Sequence, residues 1–165
     1  MTNRLSNFFS APATARAHCD VPCGIYDPIS AQLAAVTVVR VFDLLAEMAE
    51  HDTLSMADQA QLSRLVAQKE EHAEEVKHHI RVIWGDYFKA DQIAKFPNVH
   101  ALVHEIMMTA SKCKQTMDRD NAITLLDKVN EFGAMFWETK GFAVRKVVAP
   151  YPPKVTLTAP VLTEA

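Results

Sequence analysis

The sequence predicts an all-α fold, an antiparallel four-helix bundle preceded by a flexible N-terminal hook, and three observations carry that expectation. Four segments repeat apolar residues at helical spacing, no segment alternates polar and apolar residues between turn signals as a half-buried strand does, and the 165 residues include only four glycines. Four amphipathic helices joined by connections of modest length bury their apolar stripes most simply side by side around one core.

Asp27 followed by Pro28 supplies a capping carboxylate and a proline at the first helical position, and Ile29, Leu33, Val36, Leu44 and Met48 follow near helical spacing. This first helix should end near His51. Ser55 with Asp58 three residues on has the form of a capping box, and Leu62, Leu65, Val66, Val76, Ile80 and Ile83 mark a long second helix stopping at Gly85. An aromatic connector with Tyr87, Phe88 and Phe96 runs from Asp86 to Pro97. The third helix carries Val99, Leu102, Val103, Ile106, Met107, Ala110 and Met117. The fourth runs from about Asp120 to Lys140 on Ile123, Leu126, Val129, Phe132, Phe136 and Trp137, with Gly141 as its stop. Beyond it, Ala149-Pro150-Tyr151-Pro152-Pro153 cannot continue a helix, so residues 142–165 read as an extended proline-containing tail. The chain thus divides into a leader at 1–17, a hook at 18–26, a bundle at 27–141 and that tail.

Composition narrows the function. A net charge of -3 and a pI near 6.1 argue against nucleic acid, because phosphate neutralisation needs a clustered excess of Lys and Arg. No apolar run is expected to reach the roughly 18–20 residues that a membrane span requires. Of the three cysteines, Cys113 stands apart among Met107, Met108 and Met117 and reads as a core residue. Residues 1–17 carry Arg4 and Arg16, no acidic residue and Pro12, and their only bulky apolar pair is Phe8-Phe9. That is not the apolar stretch of about 7–15 residues that directs secretion, so a cytoplasmic pro-segment is expected, with a frayed tail as the alternative.

The segment His18-Cys19-Asp20-Val21-Pro22-Cys23-Gly24-Ile25-Tyr26 gathers two thiols and an imidazole within six residues, at a turn favoured by Pro22 and Gly24. If residue 17 is removed, the His18 nitrogen becomes a free amine. That amine, the Cys19 amide and the Cys19 sulfur close two five-membered chelate rings, Cys23 sulfur fills the fourth corner of a plane, and the His18 imidazole takes an axial position. Such a donor set suits nickel or copper, whereas zinc prefers a tetrahedron and hard cations prefer oxygen. Anionic sulfur and a deprotonated amide also bring the trivalent metal within reach. A Cys19–Cys23 disulfide, or two ordinary thiols, remains the alternative that C-x-x-x-C spacing alone allows.

As a whole, the nonapeptide closely resembles the nickel-binding hook of nickel superoxide dismutases, whose precursors lose a leader so that this histidine becomes the first residue. His78-His79 with Trp84, Asp86, Tyr87, Phe88 and Lys89, and then Phe136-Trp137-Glu138-Thr139-Lys140, resemble that family's connector and last helix. The resemblance, from His18 to Lys140, implies a cytoplasmic homohexamer of four-helix subunits, one nickel each, and a leader-processing protease. It implies conversion of two superoxide ions and two protons to dioxygen and hydrogen peroxide. His18, Cys19 and Cys23 would be the nickel ligands, with Tyr26 and Tyr87 screening the access face and Lys89 adding positive potential for the anion. Connector packing for Tyr87 and ordinary solvation for Lys89 stand beside those roles. Where the family holds its axial imidazole with a glutamate and an arginine, this chain has Ala34 and His72. His72, from a neighbouring subunit, is expected to take over part of that orienting task, against the plainer alternative of a solvated histidine.

Three further readings compete. Glu75-Val76-Lys77-His78 is one E-x-x-H of the kind found in di-iron carboxylate bundles, although such a site needs two of them. A nickel or copper carrier could use the same hook without turnover. In a purely structural bundle, Cys19 and Cys23 would be dispensable.

Overall fold

Local capping chemistry sets where the helices begin and end. In a computed structural model, which describes residues 23–163, the Asp27 carboxylate accepts the Ile29 N–H at 2.8 Å, and Pro28 already has the helical φ of -66°. The first helix, α1, runs Ile29–Ala49. Ser55 and Asp58 close the expected box over the start of α2, Met56–Val82: the Asp58 N–H donates to the Ser55 hydroxyl, and the Asp58 carboxylate accepts the Ser55 N–H at 2.9 Å. Gly85 does not stop this helix as the sequence suggested. The chain winds on through a single π turn, Ile83–Tyr87, which closes when the Phe88 N–H reaches the Ile83 carbonyl. The connector then forms a short helix, α3 (Ala90–Lys95), ahead of α4 (Val99–Gln115) and α5 (Arg119–Thr139).

Contacts among the long helices make a closed circuit, in which α1 and α4 each pack against both α2 and α5. Val38 and Val39 of α1, Val76 and Ile80 of α2, Ile106 of α4 and Phe132 and Phe136 of α5 are fully buried in one core. Each such side chain stabilises the fold by about 1.5–3 kcal/mol. Contrary to expectation, α1 is long and apolar enough by composition alone to cross a bilayer. Here that apolarity serves packing, since Ala31, Ala35, Val38, Val39 and Phe42 are buried. The phase of α1 also differs from the stripe read in sequence, because Ile29 and Leu33 are 41% and 43% exposed. Met108 and Met117 likewise lie outside the core, whereas Cys113 is fully buried as expected.

A buried cation ties three helices. Lys69 is 3% exposed, and its ammonium donates to the carbonyls of Lys114 (2.8 Å) and Thr116 (3.1 Å) at the end of α4 while lying 5.5 Å from the Phe42 ring centre. Carbonyls at a helix C-terminus and the face of a ring both favour positive charge, so the ammonium is solvated by protein in place of water.

The all-α expectation needs one correction. Gly141, at φ +84°, ends α5 with a Schellman motif: its N–H reaches the Glu138 carbonyl and the Phe142 N–H reaches that of Trp137. Residues 142–165, expected as an extended tail, contain two paired strands, β1 (Val144–Val148) and β2 (Thr156–Pro160), antiparallel with Lys146 opposite Thr158. Pro150, Pro152 and Pro153 fall in the turn between them, where a missing N–H costs no ladder bond, and Pro160 ends β2.

Replacing Ser55 by Ala should lower stability by about 1 kcal/mol, the usual cost of a lost N-cap, as read by the urea midpoint at unchanged m-value.

Candidate metal centre

The described chain opens at the hook's last ligand candidate. Cys23 is exposed, Gly24 adopts the left-handed φ of +69° that glycine tolerates best, and Ile25 is 76% exposed, so this stretch stands off the core. His18 and Cys19 lie outside the described residues. Among those described, no three His, Cys, Asp or Glu side chains converge closely enough to share a metal ion. Glu75 and His78 are both exposed on α2, which removes the inward-facing geometry that a di-iron site requires.

Tyr26 returns the chain to the body. Its ring packs at 5.9 Å from that of Tyr87, which the π turn directs toward α5. There the Tyr87 ring lies 4.7 Å from Phe136 and 5.4 Å from Phe88. The Thr139 hydroxyl donates its single hydrogen to the Phe136 carbonyl at 2.6 Å, so in the 2.7 Å contact with Tyr87 it is the phenol that donates. The Tyr87 proton is therefore committed to Thr139. Tyr26, Asp27, Ser30, His79 and Val82 line a cleft of about 220 Å³ at the base of the hook.

The Lys89 ammonium donates to the Gly85 carbonyl at 3.0 Å, which draws it along its own turn. Lys140, given no role in the sequence analysis, places its ammonium 5.0 Å from the Tyr87 ring centre and 5.3 Å from that of Phe136. Its four-residue spacing from Phe136 along the end of α5 was the available signal. Among the departures, Ala34 is buried and offers no side-chain hydrogen bond. His72 donates its Nδ1–H to the Gln68 carbonyl of its own helix at 2.9 Å, leaving Nε2 turned toward Glu75 at 3.9 Å.

The thiols sit in contrasting surroundings. Burial pushes the Cys113 thiol up from 9.0 to about 11, with the Lys69 ammonium opposing the shift. Thiolate chemistry near neutral pH is thus denied to Cys113, while Cys23 lies at the surface.

Residues 13–140 match the family model for nickel-containing superoxide dismutase. The chain is 38% identical over 136 residues to the Superoxide dismutase [Ni] of Streptomyces coelicolor and 36% identical over 136 residues to that of Streptomyces seoulensis, covering in each case 82% of this chain and 98% of the relative. A native nickel superoxide dismutase solved at 1.30 Å superposes with a TM-score of 0.64 at 37% identity, over 74% of this chain and 99% of that one.

Alkylation at pH 8 should leave Cys113 unmodified until the protein is unfolded, read by peptide mass. A folded-state thiol pKa raised above its unfolded value contributes stability below about 9 that is lost as pH climbs toward about 11. Cys113→Ala should therefore lose less stability than the parent chain across that interval. Tyr87→Phe, which keeps the ring stack and removes only the bond to Thr139, should cost about 1 kcal/mol in chemical denaturation.

Proposed function

Because the chain belongs to the nickel-containing superoxide dismutase family, and is thus a nickel enzyme that converts superoxide to dioxygen and hydrogen peroxide, we propose that His18, Cys19 and Cys23 hold its metal. The observation that carries the assignment is the family match over 13–140, which spans the hook segment and all four long helices. The donor set fits the metal: two thiolates with imidazole, amine and amide nitrogens favour nickel over hard cations, and Cys23 stands on an exposed turn clear of the core. Nickel bound there supplies a one-electron carrier that alternates between the divalent and trivalent states.

The rest of the work falls to the chain's own residues. Tyr26 and Tyr87 form a paired aromatic wall that restricts approach to the hook. Tyr87, donating to Thr139, presents only its lone pairs outward. Lys89 and Lys140 give the neighbourhood a positive potential that a net charge of -3 does not provide, and that local field concentrates a small anion. His72, contributed from a neighbouring subunit, would orient the His18 imidazole through Nε2.

The four long helices form an antiparallel four-helix bundle with the hook at its N-terminal end, a reading supported by their closed circuit of contacts. Maturation removes residues 1–17 through a leader-processing protease, and the mature subunits assemble in the cytoplasm as a homohexamer. Ile25 of the hook and Ile29 and Leu33 of α1, exposed at four-residue intervals, supply an apolar strip suited to a subunit contact.

Intact mass and metal analysis of protein matured in its own cells should give a chain starting at His18 with one nickel per subunit. Cys23→Ser should abolish both nickel retention and dismutation while leaving the helical circular dichroism intact. Active material still bearing Met1, or full activity without nickel, overturns the assignment. His72→Ala should alter the nickel spectrum, and an unchanged spectrum and turnover would remove His72 from the site.

A further inference from the structure

The C-terminal hairpin lies beyond the residues 13–140 that match the family model, yet it is bonded to Gln32 in the first turn of α1 and to Asn130 of α5. In its register, the odd-numbered residues pair across the hairpin, as the 2.9 Å bond from Ala149 to Val155 and the 2.8 Å bond from Val161 to Ala143 show. Thr156 and Thr158 therefore turn their peptide groups to the outer edge of β2. An edge of this kind normally requires another strand or a cover.

Two side-chain amides provide the cover. Asn130 of α5 accepts the Thr158 N–H at 3.0 Å on Oδ1 and donates to the Thr156 carbonyl at 2.9 Å from Nδ2, taking the place of a peptide group in a neighbouring strand. Gln32 of α1, 2% exposed, donates from Nε2 to Asn130 Oδ1 and to the Thr158 carbonyl, both at 2.8 Å, which uses both of its amide hydrogens. The network continues into the first turn of α1. The Gln32 N–H makes the first helical bond, to the Pro28 carbonyl at 3.1 Å, and Pro28 is buried against Gly133 of α5. Pro28 lies five positions after Cys23, a span of at most about 18 Å, so motion of this turn passes directly to the hook.

We infer that the C-terminal hairpin is a brace for the hook, with Gln32 and Asn130 as positioning residues that fix the first turn of α1 from which the hook departs. Without the hairpin, Asn130 loses both backbone partners and Gln32 loses one of its two acceptors. A buried amide left short of partners costs more than the bond it made. The first turn then relieves that cost by opening to water. The inference rests on Cys23 as a metal ligand for its effect on nickel, but its effect on the helix turn does not.

The test compares four changes with the parent protein: deletion of 142–165, Gln32→Met, Asn130→Ala, and Lys146→Ala on the opposite strand as a control. In metal-free protein, backbone amides of residues 32–36 should exchange with deuterium about tenfold faster in the first three, the factor that one lost buried hydrogen bond carries. Amides in the middle of α2 and α4 should keep the parent rate, as should every amide in Lys146→Ala. In nickel-loaded protein, release of the metal to a chelator should accelerate by a similar factor in the same three variants. Parent-like exchange at 32–36 in Gln32→Met and Asn130→Ala overturns the brace, and these two variants decide the matter if the deletion does not fold. Parent-like nickel release alongside faster exchange also overturns it, reducing the hairpin to a local stabiliser. A parent protein that retains no nickel refutes the ligand assignment instead, and the exchange rates still judge the brace.

Discussion

Placement of the Tyr87 ring between Tyr26 and Phe136 is the contact that ties the start of the described chain to the end of α5. The ring's position is set by groups distant in sequence: the Thr139 hydroxyl fixes the phenol, Phe136 fixes one face and the Lys140 ammonium hovers over the ring. All three belong to the last turn of α5. The connector is pinned to the same place, since the Lys95 ammonium donates to the Glu138 carbonyl at 2.6 Å. The end of one helix thus serves as the reference point for the segment that leads to the proposed metal ligands near the opposite end of the chain, and rigidity there matters because a donor set is only as well ordered as its support.

Electrostatics divides along the same line. Lys69 holds a positive charge in the interior, yet its ammonium is consumed by carbonyls and a ring, so it shapes the fold without adding to the potential at the surface. Lys89 and Lys140 are exposed to solvent. A chain with a small net negative charge can therefore present local positive potential to an anion, because screening over about 10 Å makes the nearest charges decisive. Burial of Cys113 complements this arrangement by keeping a third thiol from competing for metal or oxidant.

The features legible in the sequence are those encoded by contiguous residues. The box at Ser55 and Asp58, the Asp27 cap, the Gly141 stop and the nonapeptide from His18 to Tyr26 each need only local geometry to be recognised. The phase of α1 was not legible, because Ala and Val populate nearly every face, and the buried side is chosen by how closely Ala31 and Ala35 let neighbouring helices approach. Gly85 looked like a stop, but it sits in a π turn whose neighbour Trp84 is anchored by donation to His100 Nδ1 at 2.9 Å, 16 residues away. The hairpin was missed for a similar reason. Its strands are short and half-exposed, and the groups that satisfy the outer edge of β2, Asn130 and Gln32, lie 28 and 126 residues from Thr158. At the site, Lys140 gained a role only once the fold brought the end of α5 against Tyr87.

The left-handed stop at Gly141 has a consequence for how such a chain can diversify. By closing α5 on its own carbonyls, it satisfies the helix end locally, so the segment that follows need not supply hydrogen bonds to that end. An appendage joined there behaves as a graft, turned back along the helix that precedes it and positioned to acquire contacts with the opposite terminus. Lineages bearing different grafts at this junction could tune the opposite end of the chain from outside, leaving its sequence untouched.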